Sequence, residues 1–71
     1  MGKILIIGAA GQIGTELTLE LRKINGNDKV IATDLTTASE EVMSSGKFEI
    51  LDVLDKQNLS RIVTENDVRE I

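Results

Sequence analysis

The sequence predicts an α/β fold in which helices alternate with the strands of one parallel sheet, and three observations indicate it. A continuous aliphatic run, Ile4 to Ile7, stands near the start of the chain. A glycine-rich turn and a helix-like repeat of apolar residues follow that run. Two further short segments rich in β-forming residues come later, and each ends at an aspartate. This alternation favours a parallel sheet with right-handed crossovers.

The first strand and the first helix have the clearest patterns. Strands that are buried on both faces read as unbroken aliphatic runs, so Ile4 to Ile7 predicts a central strand. Asn25-Gly26 is a typical stop signal for the helix that follows. The apolar face of that helix is marked by residues spaced four, four and three apart: Ile13, Leu17, Leu21 and Ile24.

Two more strands are predicted at residues 30–33 and 48–51, because both segments are rich in β-forming residues. They end at Asp34 and Asp52, so that each strand is followed by a carboxylate. The stretch between them, residues 36–46, is polar and is either a short helix or an ordered loop.

The last part of the chain predicts one more helix and the beginning of a strand. Asp55 is a suitable N-cap for a helix that runs to Glu65. The apolar side chains of that helix define its buried face: Leu59, Ile62 and Val63. A fourth strand starts within residues 68–71. The predicted order is therefore β-α-β-(α)-β-α, which is three strands plus the start of a fourth.

The composition excludes several classes of function. The net charge is −4 and the sequence has no cluster of Lys and Arg, which argues against a nucleic-acid partner. The chain has neither Cys nor His, so a disulfide framework and a structural zinc site are not expected. The longest apolar run is too short to span a bilayer, and a cytoplasmic location is expected. With 71 residues, the chain predicts a single small domain of marginal stability.

The most informative segment is the turn that contains Gly8, Gly11 and Gly14, because it lies between a predicted buried strand and a predicted helix. In such a turn one glycine allows the reversal, one lets a pyrophosphate approach the backbone, and one allows close packing of helix and strand. Gln12 and Ile13 begin the helix, whose amides and partial positive charge suit phosphates. The alternative is that these glycines only form a compact turn.

Asp34 strengthens the interpretation as a dinucleotide site. It lies 20 residues beyond Gly14 at the end of the second strand, where a carboxylate accepts hydrogen bonds from a ribose. Its charge would repel a 2′-phosphate, and no Lys or Arg follows until Lys47, so NAD is favoured over NADP. Leu35, the next residue, is also predicted to contact the cofactor. The alternative role for Asp34 is that of a solvated strand end or a loop cap.

Asp52 and Val53 follow the third strand and are predicted to contact the adenine, because the carboxyl ends of parallel strands converge on the ligand crevice. Asp52 is equally suited to starting the next helix or binding a nearby backbone amide. Asp55 is assigned to capping. The other acidic residues are scattered and predict a solvated surface, with no metal cluster.

These motifs resemble the amino-terminal part of the extended short-chain dehydrogenases/reductases, the superfamily of NAD-dependent epimerases and dehydratases. Gly8, Gly11 and Gly14 have its Gly-x-x-Gly-x-x-Gly spacing, and the resemblance implies an incomplete Rossmann-type, doubly wound parallel sheet. Within it, residues 3–17 and 48–55 resemble the short-chain type of L-threonine 3-dehydrogenase. Gln12-Ile13 is the pair that best separates this resemblance from one to the sugar-nucleotide epimerases, because those enzymes usually have an aromatic residue followed by an aliphatic one there.

The resemblance implies that residues 1–71 are the N-terminal part of an NAD-binding Rossmann domain, with no second domain. The family's catalysis rests on a Tyr-x-x-x-Lys pair with a Ser or Thr. The chain contains no tyrosine, so it includes no catalytic residue of this kind. The implied parent enzyme is a homodimer that oxidises L-threonine to 2-amino-3-oxobutanoate with NAD. A sugar-nucleotide epimerase or dehydratase and a non-catalytic dinucleotide-binding module are the alternatives.

The doubly wound strand order also predicts how the chain behaves in isolation. That order places a fourth strand beside the first. A chain that stops at Ile71 is expected to lack this neighbour, which leaves residues 4–7 on an unpaired edge. We therefore expect the 71-residue polypeptide to be poorly stable or to self-associate.

Overall fold

The computed structural model describes residues 2–71. Within them, four parallel strands form one sheet in the order β3-β2-β1-β4. The strands are β1 (Lys3–Ile7), β2 (Val30–Asp34), β3 (Phe48–Ile50) and β4 (Val68–Glu70). Three α-helices connect them, α1 (Gln12–Asn25), α2 (Glu40–Ser45) and α3 (Lys56–Glu65), and a 3-10 turn at Asn27–Lys29 precedes β2. The predicted fold class, an incomplete Rossmann-type α/β fold, is confirmed.

The aliphatic run of β1 is continuous because both faces of the sheet are covered. Side chains alternate along a strand, so Leu5 and Ile6 enter separate cores. The core beside α1 and α2 contains Ile6, Ala9, Val30, Ala32 and Val42. The core beside α3 contains Leu5, Ile31, Leu51 and Ile62. Because β1 and β2 are parallel, their carboxyl ends lie at the same edge of the sheet.

The apolar face that predicts α1 is not the face that packs most closely. Ile13 and Ile24 are 81% and 71% exposed, and Leu17 is 46% exposed, whereas Leu21 is half-buried. Thr18 and Arg22 are the buried residues of this helix. The apolar face of α1 is therefore only partly packed, because Thr18 and Arg22 are the residues of the helix that are buried against its neighbours.

Arg22 explains this orientation. Its side chain is 2% exposed, and its guanidinium donates to the carbonyl oxygens of Val30, Val42 and Lys47, at 2.7 Å for the latter two. It also donates to the Ser45 hydroxyl at 2.9 Å. Burial lowers the pKa of this guanidinium from its ordinary value. One charged side chain thus joins α1 to β2, to α2 and to the segment that enters β3.

The polar segment 36–46, left open by the sequence, contains helix α2. The Ser39 hydroxyl accepts a hydrogen bond from the amide of Val42 at 3.4 Å, and Val42 is fully buried. For α3 the predicted cap is confirmed, because the Asp55 carboxylate accepts from the amide of Asn58 at 3.1 Å. Ile62 is the buried residue of that helix.

Strand β4 changes the expectation for the edge of the sheet. Lys3 pairs with Val68 and Ile4 pairs with Glu70, so β1 lies between β2 and β4. The expectation that the fourth strand is missing is therefore wrong, but β4 pairs only with Lys3 and Ile4, so residues 5–7 have no strand partner on that side within residues 2–71. The residues after Asp67 are already sufficient to form that strand, although its pairing with β1 is short and irregular.

None of the helices within residues 2–71 combines the length and the apolar character needed to cross a membrane.

Candidate dinucleotide site

The turn from β1 into α1 has two positions that only glycine fits. Gly8 has a φ of +92°, in the left-handed region that other residues rarely adopt. A Cβ atom on Gly14 would lie 2.0 Å from the carbonyl oxygen of Gly8, so a side chain there is excluded by the turn itself. These two glycines are explained by backbone conformation and by close helix–strand packing.

Gly11 is different, because the protein itself does not require a glycine there. Its φ of −74° and ψ of 167° suit any residue, and an added Cβ would have only an ordinary 3.6 Å contact with the Gly8 oxygen. The open space beside this Cα faces outward, where a ligand can approach the backbone. The turn therefore leaves room at Gly11 for the approach of a pyrophosphate, which stays a prediction.

Strand β2 holds the turn through one carbonyl group. The oxygen of Thr33 accepts from the amides of both Gly8 and Ala9, at 2.9 Å each. The Thr33 hydroxyl donates to the oxygen of Ile6 at 2.7 Å. Thr33 is fully buried, and its hydrogen bonds join the ends of β1 and β2 next to the turn.

The amides that remain free lie at the start of α1. Of the backbone hydrogen bonds within residues 2–71, none uses the amides of Gln12, Ile13 or Gly14, which precede the first helical acceptor. No side chain caps this helix, since its N-cap is Gly11. Three amides and the positive end of the helix dipole are thus available to an anion beside Gly11.

Asp34 lies against the same turn, although 24 residues separate it from Ala10. One oxygen of its carboxylate accepts from the amide of Ala10 at 2.9 Å, and the other accepts from the amide of Leu35 at 2.6 Å. Each carboxylate oxygen can accept a second hydrogen bond. The geometry therefore leaves Asp34 able to accept bonds from ribose hydroxyls while it holds the glycine turn.

The other predicted contacts lie at the ends of β2 and β3, which are adjacent strands. Leu35 and Val53 are 62% and 45% exposed, so their apolar surfaces are open to a ligand. The Asp52 carboxylate accepts from the amide of Leu54 at 2.9 Å, which is the alternative role considered for it. That bond occupies one lone pair of the carboxylate and leaves others open.

Three threonines that the sequence did not single out support the turn. Thr33 anchors it from β2, and Thr15 donates its hydroxyl to the oxygen of Ala9 at 3.0 Å. The hydroxyl of Thr18 donates to the oxygen of Gly14 at 2.7 Å. The Thr18 bond spans one helical turn and was foreseeable, whereas the other two depend on how the chain folds back.

Within residues 2–71, no group of three or more potential metal ligands of the His, Cys, Asp or Glu type is brought together.

Comparison with known proteins identifies the family. Residues 4–71 match the NAD dependent epimerase/dehydratase family. An uncharacterised epimerase/dehydratase of Staphylococcus saprophyticus is 50% identical over 64 residues, which are 89% of this chain and 20% of that protein. Its counterpart in Staphylococcus haemolyticus is 48% identical over the same shares of the two chains. The chain therefore spans about a fifth of the length of these relatives.

Similar solved structures include L-threonine dehydrogenases. That of Clostridium difficile is 49% identical with a TM-score of 0.90, over 100% of this chain and 23% of its own. That of Phytophthora infestans is 34% identical with a TM-score of 0.84, over 99% and 22%. A monomeric L-threonine 3-dehydrogenase of metagenomic origin is 42% identical with a TM-score of 0.81, over 96% and 22%. The chain belongs to the NAD-dependent epimerase/dehydratase family, and NAD is its cofactor.

Proposed function

We propose that this chain is the NAD-binding segment of a short-chain type L-threonine dehydrogenase whose catalytic residues lie beyond position 71. The observation that carries the proposal is the likeness to the Clostridium difficile enzyme, which extends over 100% of this chain at 49% identity. Gln12, in place of an aromatic residue, supports the same conclusion. The absence of tyrosine from the 71 residues is consistent with a chemical centre located elsewhere.

The residues of this chain bind and orient the cofactor in the proposed enzyme. The amides of Gln12, Ile13 and Gly14 would bind the pyrophosphate beside the open Cα of Gly11. The Asp34 carboxylate would accept hydrogen bonds from the hydroxyls of the adenosine ribose, and its charge would disfavour a 2′-phosphate. Three residues at the ends of β2 and β3 would contact the adenine: Leu35, Asp52 and Val53.

The proposed reaction removes two hydrogens from L-threonine. A tyrosine outside these residues takes the hydroxyl proton, the C–H bond at the hydroxyl carbon breaks, and a carbonyl forms to give 2-amino-3-oxobutanoate. NAD, held by the glycine turn and Asp34, would supply the acceptor for the hydride from that carbon. The contribution of this chain is to hold the cofactor in position for that transfer.

A sugar-nucleotide epimerase or dehydratase is the second candidate, because the curated relatives have epimerase/dehydratase names. A non-catalytic dinucleotide-binding module is the third. Both would use the same glycine turn and Asp34, so the candidates differ in substrate and not in the site described above. The homodimer implied by the family resemblance is also a proposal. One similar L-threonine 3-dehydrogenase is described as monomeric.

The test compares substrates in the longer protein that contains these residues. We expect NAD⁺ to be reduced when L-threonine is added, with 2-amino-3-oxobutanoate as the product, and no conversion of UDP-glucose or UDP-galactose. Turnover of a sugar nucleotide with no oxidation of threonine would replace the proposal by the second candidate. No turnover of either, together with tight NADH binding, would favour the third. The 71-residue chain is the matched control and should bind NADH without reducing NAD⁺.

A further inference from the structure

One peptide group in the glycine turn is held from both sides by side chains. The carbonyl oxygen of Ala9 accepts from the Thr15 hydroxyl at 3.0 Å, and the amide of Ala10 donates to the Asp34 carboxylate at 2.9 Å. These two groups belong to the same peptide unit. In a trans peptide the carbonyl and the amide point in opposite directions, so Thr15 and Asp34 hold its two sides.

The neighbouring peptide groups of the turn are held differently. The amides of Gly8 and Ala9 bind the backbone oxygen of Thr33, and the amide of Gly11 binds the oxygen of Gly8 at 3.3 Å. Those bonds form with any sequence that adopts the turn. Among the peptide groups from Gly8 to Gly11, the one between Ala9 and Ala10 therefore depends most on side chains.

Rotation of this peptide by half a turn would break both bonds together. It would also direct the Ala9 carbonyl oxygen toward the Asp34 carboxylate, and two acceptors without a proton between them repel each other. The same rotation would change the shape of the turn immediately before the free amides of Gln12 and Ile13. The orientation of one peptide is thus coupled to the arrangement of the donors that face a phosphate.

We propose that Thr15 is a positioning residue for the cofactor, which acts by fixing the Ala9–Ala10 peptide so that the phosphate-binding turn is formed before the ligand arrives. Asp34 then has a second role in the same peptide, beyond its proposed contact with the ribose. This inference rests on the proposed NAD site. The pyrophosphate is the part of the ligand whose binding would depend on Thr15.

The test compares two ligands that differ only in their phosphates, ADP and adenosine. Thr15→Val keeps the shape of the side chain but removes the donor, whereas Thr15→Ser keeps the hydroxyl. Thr64→Val is the matched control, because Thr64 is an exposed threonine on α3, which packs on the opposite face of the sheet from α1. Dissociation constants are measured by NMR titration of the amide signals, which also show whether each variant is folded.

We expect Thr15→Val to weaken ADP binding about fivefold, as the loss of one hydrogen bond would, and to leave adenosine binding within about twofold. Thr15→Ser should restore ADP binding, and Thr64→Val should leave the ratio of the two constants unchanged. Equal weakening of both ligands by Thr15→Val, or no weakening of either, would overturn the positioning role. If the unsubstituted chain is folded but binds neither ADP nor NADH, the proposed NAD site itself fails.

Discussion

At the scale of single residues, the three glycines of the turn have separable roles. Gly14 is required by the protein, because a Cβ there would overlap the Gly8 oxygen, whereas Gly11 has room for one. Glycines that look equivalent in the sequence therefore differ in physical cause. This distinction can be measured, because stability reports on one cause and ligand binding on the other.

We expect Gly14→Ala to destabilise the fold by about 1–3 kcal/mol, the usual cost of overpacking. Gly11→Ala should change stability by less than about 1 kcal/mol, because its backbone angles suit alanine, yet it should weaken NADH binding by about tenfold or more. Thermal unfolding and calorimetric titration of both variants give the two quantities. Unchanged NADH affinity in a folded Gly11→Ala variant would show that the pyrophosphate does not approach this Cα.

Asp34 is expected to determine the choice between NADH and NADPH. Its carboxylate is half-buried at the turn, and it would stand close to a 2′-phosphate on the adenosine ribose. We expect Asp34→Asn to reduce the preference for NADH over NADPH by about tenfold, because the amide keeps an oxygen for the Ala10 amide but removes the repulsion. Calorimetric titration with each cofactor measures the ratio. A preference that stays unchanged would assign the discrimination to another residue.

At the scale of elements, the buried Arg22 joins α1 to its neighbours. Its guanidinium binds three backbone oxygens, and a Cβ on Gly46 would lie 2.7 Å from it. We expect Arg22→Met to destabilise the fold by about 2–4 kcal/mol, because buried carbonyl groups lose their donor. Lys23→Met is the matched control, since Lys23 is exposed on the same helix, and should have an effect below about 0.5 kcal/mol. Urea unfolding compares them, and equal effects would contradict the role of Arg22.

Strand β3 and helix α3 are joined by an ion pair with a defined pH dependence. The Arg61 guanidinium donates to the Glu49 carboxylate at 2.9 Å and lowers its pKa below the ordinary value. A carboxylate with a lowered pKa contributes stability above its unfolded pKa of about 4.3, and this contribution disappears as the pH falls through the folded pKa. The pair therefore stabilises the contact at neutral pH and not in acid.

We expect Glu49→Gln to be less stable than the unsubstituted chain at pH 7, with a difference that shrinks as the pH falls below about 4.3. Glu20→Gln is the control, because Glu20 is exposed on α1, and it should show no such trend. Urea unfolding at several pH values measures both. A difference that is constant across this range would indicate that Glu49 acts through packing.

The elements differ in how well the sequence predicts them, and the reason is the range of the interactions involved. The unbroken run of β1, the glycine spacing and the Asp55 cap are local signals, and each predicts its element. The role of Arg22 depends on partners in β2, α2 and the start of β3, between 8 and 25 residues away along the chain. The apolar stripe of α1 is misleading for this reason, because a local pattern does not show which face meets the sheet.

The candidate site has the same division between local and long-range information. Gly8, Gly11, Gly14 and Asp34 are predicted from spacing alone, and the structure places the Asp34 carboxylate against the turn, where it accepts from the amide of Ala10. Thr15 was not foreseen, because its partner lies in the turn and not one helical turn back. Asp52 suits both a ligand contact and a backbone contact, since a carboxylate after a strand binds a nearby amide as readily as a ligand.

At the scale of the whole molecule, the described chain has an apolar groove that its own elements do not fill. The groove lies between β1, the outer side of α1 and the end of β4. Ile7, Leu17 and Ile71 line it and are 42%, 46% and 73% exposed. These residues include part of the apolar stripe of α1, so that stripe faces a surface without a partner among residues 2–71.

The groove adds exposed apolar surface to residues 5–7 of β1, which have no strand partner on the β4 side, as a cause of the expected self-association. Contiguous exposed apolar surface favours association between copies, and we expect the 71-residue chain to sediment as larger species at higher concentration. Leu17→Glu should reduce this association, because a carboxylate in the groove opposes burial against a second copy. Leu54→Glu is the matched control, since Leu54 is 84% exposed and lies outside the groove. Analytical ultracentrifugation of the three proteins distinguishes the outcomes. If both variants associate as the unsubstituted chain does, the groove is not the contact, and the short edge strand β4 becomes the alternative.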